Sequence, residues 1–315
     1  MDSELVIVLA FVGVVCTVFL YFARTIVLMW QQRGSFKPTP LQVTVLLIGA
    51  FGIACVIYGI FEPLQLVTTR LTISSSKLKT PIRIVHLTDL HCDGTVRTEK
   101  KLPGVIRELH PDLVLFTGDA ANNLRGQQDF QACMSEISKI APTFGVYGNH
   151  DSRSRRKIET FQNTGVTNLD SASTQLDIKG NKIWIGGAAI DSEGFLADIM
   201  SEAPDDAYKI FLYHYPDGIR AASAHHIDLF LAGHTHGGQI RLPFYGALVT
   251  ASSLGKHFEY GHYVVGTTNM NVSSGIGMTG LPVRFLTPPE VAVIDVEPGS
   301  TGKFSLPPDE AKSSK

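Results

Sequence analysis

Apolar and polar positions divide the chain into two regimes. Leu5 to Ala23 is apolar without a charge, Arg24 interrupts, and Thr25 to Trp30 is apolar again. Leu41 to Phe61 is a second uncharged apolar stretch, close to the ~20 residues a helix needs to cross ~30 Å of hydrocarbon. Neither stretch has a polar face, so the pattern predicts two transmembrane helices rather than core helices. The start, Met1-Asp2-Ser3-Glu4, is acidic and no small-x-small site follows, which argues against a cleaved signal peptide. Trp30 and Tyr58 are placed like interfacial aromatics.

Past Glu62-Pro63 the apolar runs become short. Leu64 to Ile73 alternates like a strand, and Ser74-Ser75-Ser76 reads as a turn. Strands are then expected at Ile82 to Leu87, Leu113 to Thr117, Thr143 to Tyr147, Thr174 to Ile178, Lys182 to Ile185, Tyr208 to Tyr213 and Asp228 to Ala232. Helices are expected at Arg97 to Leu109, with Pro103 as a disturbance, at Phe130 to Ile140, and from the residues after Asp151 to Gln162. This alternation predicts an α/β domain. The chain divides into an anchor over 1–63 with two transmembrane helices, one domain over 64–297, and a tail over 298–315 whose Pro, Gly, Ser and Lys predict disorder.

Composition adds limits. With 315 residues, 44% hydrophobic and 18% charged, the chain can bury a full core. A net charge of -2 gives no general electrostatic case for nucleic acid. The four cysteines are too few for a disulfide framework, and none is spaced as CxxC. Lys and Arg are absent before the first helix, then come Arg24, Arg33 and Lys37 in the connecting loop. That bias favours a cytoplasmic loop and an extracytoplasmic domain, although Arg70, Lys77 and Lys79 weigh against it.

The chemistry-bearing residues fall where apolar runs stop. Ile227 to Ala232 breaks at Gly233 into His234-Thr235-His236-Gly237-Gly238-Gln239, a strand delivering two imidazoles to the loop at its carboxyl end, where α/β folds hold their sites. Asp89 and His91 end an earlier run, two residues apart and therefore on one side. Asp119, Asn149 and His214 end three others. Seven oxygen and nitrogen donors without a thiolate suit Mn, Fe, Zn, Co or Ni, and they are too many for one such ion. Two ions sharing a carboxylate would use them all. Cys92 adjoins His91 but should face the other way, and it reads as a bystander.

Asp89-x-His91, Gly118-Asp119, Gly148-Asn149-His150-Asp151, His214 and Gly233-His234-Thr235-His236 occur in the order of the calcineurin-like metallophosphoesterases, which the chain therefore resembles. Pro111 to Asp119, His234 to Pro243 and Gly275 to Phe285 look like its bacterial membrane-associated branch, similar to YkuE and YaeI. The resemblance implies two mixed sheets flanked by helices, here preceded by two transmembrane helices. It also implies two divalent ions, manganese favoured: Asp89, His91 and His236 on one, Asn149, His214 and His234 on the other, and Asp119 bridging. A metal-bridged hydroxide would be the nucleophile. His150 is expected to stabilise the transition state and protonate the leaving oxygen, with Asp151 orienting its ring.

Other residues suggest a substrate. Arg153, Arg155, Arg156 and Lys157 form a basic cluster that is either a solvated face or a seat for an anionic headgroup. Arg284 either contacts phosphate or pairs with an acid, and Phe244, Tyr245 and Leu248 are either core or an apolar mouth. The expected protein is a membrane-anchored phosphohydrolase of a phosphodiester or pyrophosphate bond in a membrane lipid. The alternatives are a UDP-2,3-diacylglucosamine pyrophosphatase of lipid A biosynthesis with a cytoplasmic domain, a phosphomonoesterase of soluble substrates, and a non-catalytic metal-binding scaffold. No nucleic acid partner is expected.

Overall fold

The computed structural model describes residues 3–32, 35–153 and 160–299. Two helices come first, Ser3–Gln31 and Pro40–Phe61. The second starts sharply because Thr39 and Gln42 form a reciprocal capping box and Pro40 sits in the first turn, where no amide is needed. Both helices are long and apolar enough to cross a membrane, and only 6% and 11% of their most apolar windows are buried, so they are not core helices of the domain that follows.

Two six-stranded mixed sheets make up that domain. The first runs, in spatial order, Val67–Ser75, Glu290–Pro298, Ile82–Leu87, Leu113–Phe116, Thr143–Gly145 and Thr167–Asn168. The second runs Gly261–Val265, Thr268–Val272, Leu229–Ala232, Tyr208–Tyr213, Asn181–Ala188 and Ala172–Ile178. The central strands pair in parallel within each sheet, so their carboxyl ends share one edge.

Period-two alternation builds three apolar layers from these strands. Ile82, Ile84, Leu113 and Leu115 face Ile185, Ile210, Leu212 and Leu231 between the sheets. Val85, Leu87, Val114 and Phe116 point outward against the helices Leu102–Leu109 and Leu124–Ile137. Phe211, Phe230 and Met270 point outward from the second sheet against the helices Leu196–Ser201 and Ile219–Ala224.

Several boundaries move from their expected places for local reasons. Pro103 lies in the first turn of Leu102–Leu109 and opens that helix instead of disturbing one begun at Arg97. Asn123 caps the next helix, its Oδ1 accepting from the amides of Arg125 and Gly126, so the helix begins before Phe130. Ser74 and Ser75 continue a strand because Glu290–Pro298 pairs along its whole length, out to Pro298. The helix expected to reach Gln162 ends its described part at Arg153, and residues 160–163 form a turn. The disorder expected for 298–315 falls outside the described residues from 300 onward.

Candidate metal centre

At the shared edge the strands Ile82–Leu87, Leu113–Phe116 and Leu229–Ala232 end in sharp reversals. Asp89, His91, Asp119, His234 and His236 all have positive φ, between 42° and 69°. Five of the seven expected donors thus sit in the left-handed region, which costs roughly 1–3 kcal/mol each when surrounding structure does not favour it. Asp and His tolerate that region better than β-branched residues. The neighbouring glycines are needed for close approach. A Cβ on Gly233 would lie 2.2 Å from Asp89 Oδ2, and one on Gly148 would lie 2.1 Å from Asp119 Oδ1.

The donors converge in a buried cluster. Asp89 Oδ2 accepts from the Thr88 hydroxyl at 2.7 Å and the His234 amide at 3.0 Å. Its other oxygen, Oδ1, is buried without a hydrogen bond, yet lies 3.3 Å from His236 Nε2, 3.7 Å from His91 Nε2 and 4.0 Å from His214 Nε2. Asp119 Oδ2 lies between His91 Nε2 at 3.3 Å and His214 Nε2 at 3.4 Å. His214 Nε2 is 3.1 Å from Asn149 Oδ1, and its Nδ1 donates to the Thr117 carbonyl. Two ring nitrogens, His91 Nε2 and His236 Nε2, stand 3.1 Å apart. A buried carboxylate oxygen without a donor, facing imidazole nitrogens crowded on one another, is what a cation would resolve. Asp89, His91 and His236 form one group able to hold an ion, and Asp89, Asp119 and His214 another.

Not every expected donor converges equally. The His234 ring lies beside those of His214 and Tyr215, with centroids 5.1 and 4.2 Å away, but its Nε2 is engaged by the Ala251 carbonyl at 3.0 Å. Only Nδ1 is therefore left for an ion. His150 is half-buried with its ring edge-on to His91 at 4.7 Å, and it groups with His91 and Asp119 closely enough to be a ligand itself.

Three expectations need correction or fall away. Asp151 does not orient the His150 ring. Its two oxygens accept from the amides of Asp119, Ala120 and Gly148, so it fixes the backbone that carries His150, whose own amide donates to Asp119 Oδ1. Arg284 does not face a phosphate. It is fully buried, and its guanidinium donates to the carbonyls of Ser274, Gly275, Gly277 and Thr287. The side chain of Arg153, and Arg155, Arg156 and Lys157 altogether, lie outside the described residues.

Asn122 was not singled out by the sequence, because it belongs to no spaced motif. Its Oδ1 accepts from His91 Nδ1 at 2.7 Å, while its amide nitrogen donates to the carbonyls of His91 and Met278. That bond turns His91 Nε2 toward the centre, and such supporting partners typically carry ~10–100-fold in metal affinity. Cys92 lies in the outer core of the first sheet, its thiol pushed up by burial and by Glu99.

Electrostatics of the cluster follow from two buried carboxylates among imidazoles. Burial lowers His91, but Asp119 and Asp89 override it and raise the ring to about 10. His214 is raised to about 9 against the same burial, chiefly by Asp119. Burial would raise Asp89, but His236, His214 and His91 hold it below its usual range. Asp119 is held low against burial by His214 and His91. Burial brings His236 down to about 3. At pH 7 the metal-free centre therefore carries protons on His91 and His214. A divalent ion must displace them, so Mn²⁺ binding at pH 7 is expected to release roughly two protons and to weaken as the pH falls. Calorimetry in buffers of different ionisation enthalpy reads this directly, and binding without proton release would refute it.

Residues 82–238 match the family described as calcineurin-like phosphoesterase. An uncharacterized metallophosphoesterase of Bacillus subtilis, YkuE, is 33% identical over 262 residues, covering 75% of this chain and 87% of its own. Phosphodiesterase YaeI of Escherichia coli is 28% identical over 234 residues, covering 69% and 82%. Among solved structures, Haemophilus influenzae NAD nucleotidase aligns with a TM-score of 0.44 and 16% identity over 62% of this chain and 51% of that one.

Proposed function

The chain belongs to the calcineurin-like phosphoesterase family, and from that premise we propose that it is a membrane-anchored, dinuclear metal-dependent hydrolase of a phosphodiester or pyrophosphate bond in a lipid. That it is a phosphoester hydrolase, in a family that uses divalent metal ions, follows from the family itself. The dinuclear reading rests on one observation, the placing of Asp119 Oδ2 almost evenly between His91 and His214. In this reading Asp89, His91 and His236 hold one ion, Asn149, His214 and His234 hold the other, and Asp119 is shared. Manganese suits the oxygen and nitrogen donors.

When bound, such a pair supplies Lewis acidity and a water acidic enough to ionise near neutral pH. The protein's own residues do the rest. Asp151 locks the amides of Gly148, Asp119 and Ala120, so the peptide between the two carboxylate motifs cannot drift. His150, held through its amide by Asp119, presents its ring to the leaving oxygen. The phosphodiester reading is supported by the similarity to YaeI of Escherichia coli, named a phosphodiesterase. The lipid reading is supported by the two apolar helices leading into the domain. By the Lys and Arg bias the domain lies outside the cytoplasm, with the loop between the helices inside.

Protein stripped of metal and reloaded with Mn²⁺ in detergent should hydrolyse an aryl phosphodiester, and no turnover with any divalent metal would leave a scaffold. Three substrates then separate the finer readings. Cleavage of a glycerophospholipid is the expected result. Rapid release of UMP from UDP-2,3-diacylglucosamine would move the protein to lipid A biosynthesis and its domain to the cytoplasmic face. Preference for a soluble phosphomonoester would remove the lipid altogether.

A further inference from the structure

The hairpin that follows the metal loop carries at its tip an aromatic side chain that is open to solvent among the described residues. Arg241–Leu242 pairs with Gly246–Ala247, and Pro243, Phe244 and Tyr245 form the tip. Phe244 has φ of 65°, where glycine or asparagine would be cheaper, and it is 111% exposed. A strained, fully exposed aromatic contributes no burial among the described residues. Tyr245 and Leu286 line the same concavity, and Leu281 is 66% exposed nearby.

This patch is continuous with the base of the second apolar helix. Arg284 donates its amide to the Gly59 carbonyl at 3.0 Å, and Phe285 packs edge-on to Tyr58 at 5.6 Å. Phe61 and Leu64, at the end of that helix, are exposed as well. Phe285 in turn accepts the Arg241 amide, which fastens the hairpin to the same segment. Lys256 lies 3.5 Å from the centroid of the Tyr245 ring and donates to the Ala247 carbonyl, so a cation stands at the root of the aromatic tip. Arg241 and Lys256 share the Glu259 carboxylate at 2.8 and 3.8 Å, so the root of the tip is polar and close to neutral. An aromatic tip above such a root, beside an apolar helix, matches the boundary between acyl chains and headgroups.

We propose that the hairpin Arg241–Ala247, with Leu281 and Leu286, inserts into the headgroup region of the lipid bilayer and holds the mouth of the metal centre against the membrane surface. The proposal rests on the membrane-anchored reading above, and it goes further by giving the domain a second contact with the bilayer. The hairpin is short and leads straight from the metal loop, since Arg241 Nη1 donates to the Gly237 carbonyl at 3.0 Å. Its depth in the bilayer therefore sets how far the centre stands from headgroup phosphates.

The test uses the full chain in nanodiscs whose phospholipids carry bromine high on the acyl chains. Phe244→Trp is made in a Trp30→Phe background, where Trp184, buried in the second sheet, is an internal reference. An interfacial depth of ~5–10 Å predicts loss of roughly half or more of the emission added by Phe244→Trp, with Trp184 unchanged. Protein that co-isolates with the discs but shows no added quenching would overturn the hairpin contact and leave the anchor standing. Covering of Phe244 by a second copy of the chain would give that same result. Protein that fails to enter the discs would overturn both.

Discussion

His150→Ala is expected to lower kcat by ~10²–10⁴-fold while metal content stays at the parent level. The ring has no hydrogen-bonded partner among the described residues and stands edge-on to His91, half-open to solvent. Its backbone is fixed by Asp119 and Asp151, so removing the ring leaves the loop in place. Burial lowers the His150 pKa below 6.5, with Asp119 only partly opposing, and bound cations would lower it further. If the ring gives up its proton to the leaving group, the His150-dependent part of kcat should be full at low pH and fall as pH rises through that depressed value. Alkyl esters, whose leaving oxygen needs the proton most, should suffer more than aryl esters. Equal losses on both, or loss of metal along with activity, would instead make His150 a support or a ligand, as its grouping with His91 and Asp119 allows.

The centre was legible in the sequence because the donors are local to strand ends, and several carry a glycine with them: Gly118 before Asp119, Gly148 before Asn149 and Gly233 before His234. Gly148 and Gly233 precede the donor histidines and asparagine because a Cβ would strike the carboxylates of the neighbouring motifs. What was not legible arises between distant segments. Asp151 looked like a partner of His150 because the two are adjacent in sequence, but the amides of two loops outcompete the ring. Asn122 acquires its meaning only when the loop after Leu113–Phe116 folds over His91. Glu290–Pro298 is a nine-residue strand, second from one edge of the first sheet, yet its apolar core, Val291 to Ile294, is short and ends beside residues that resemble a tail. It becomes a strand because Val67–Ser75 and Ile82–Leu87 supply partners on both sides. Gly261–Val265 is half-exposed, and Thr268–Val272, though mostly buried, carries Thr268, Asn269 and Asn271, so the pair is polar enough to read as loop.

Arg284→Met should destabilise the domain by ~3–5 kcal/mol, seen as a lower urea midpoint for Trp184 fluorescence. A methionine fills much of the same space, so packing contributes little of that loss and the polar groups left behind contribute most. Four carbonyls, those of Ser274, Gly275, Gly277 and Thr287, now share one guanidinium, and each left buried without a donor costs ~1–3 kcal/mol before relaxation. Burial pulls the Arg284 pKa down to about 10, which leaves it charged at neutral pH, helped by Asp89 and Glu290. Arg284→Lys should recover only a minor part, because one ammonium cannot reach carbonyls on several sides of a planar fork. The loss should also spread to the metal centre. Gly275 and Gly277 pack against Asp89 and the His91 Cβ, so a loosened segment frees the two residues that start the cluster. Weaker Mn²⁺ binding should therefore accompany the lower midpoint. A variant as stable as the parent within ~0.5 kcal/mol would show that the segment is held by Glu290, through Ser273 and Ser274, without the arginine.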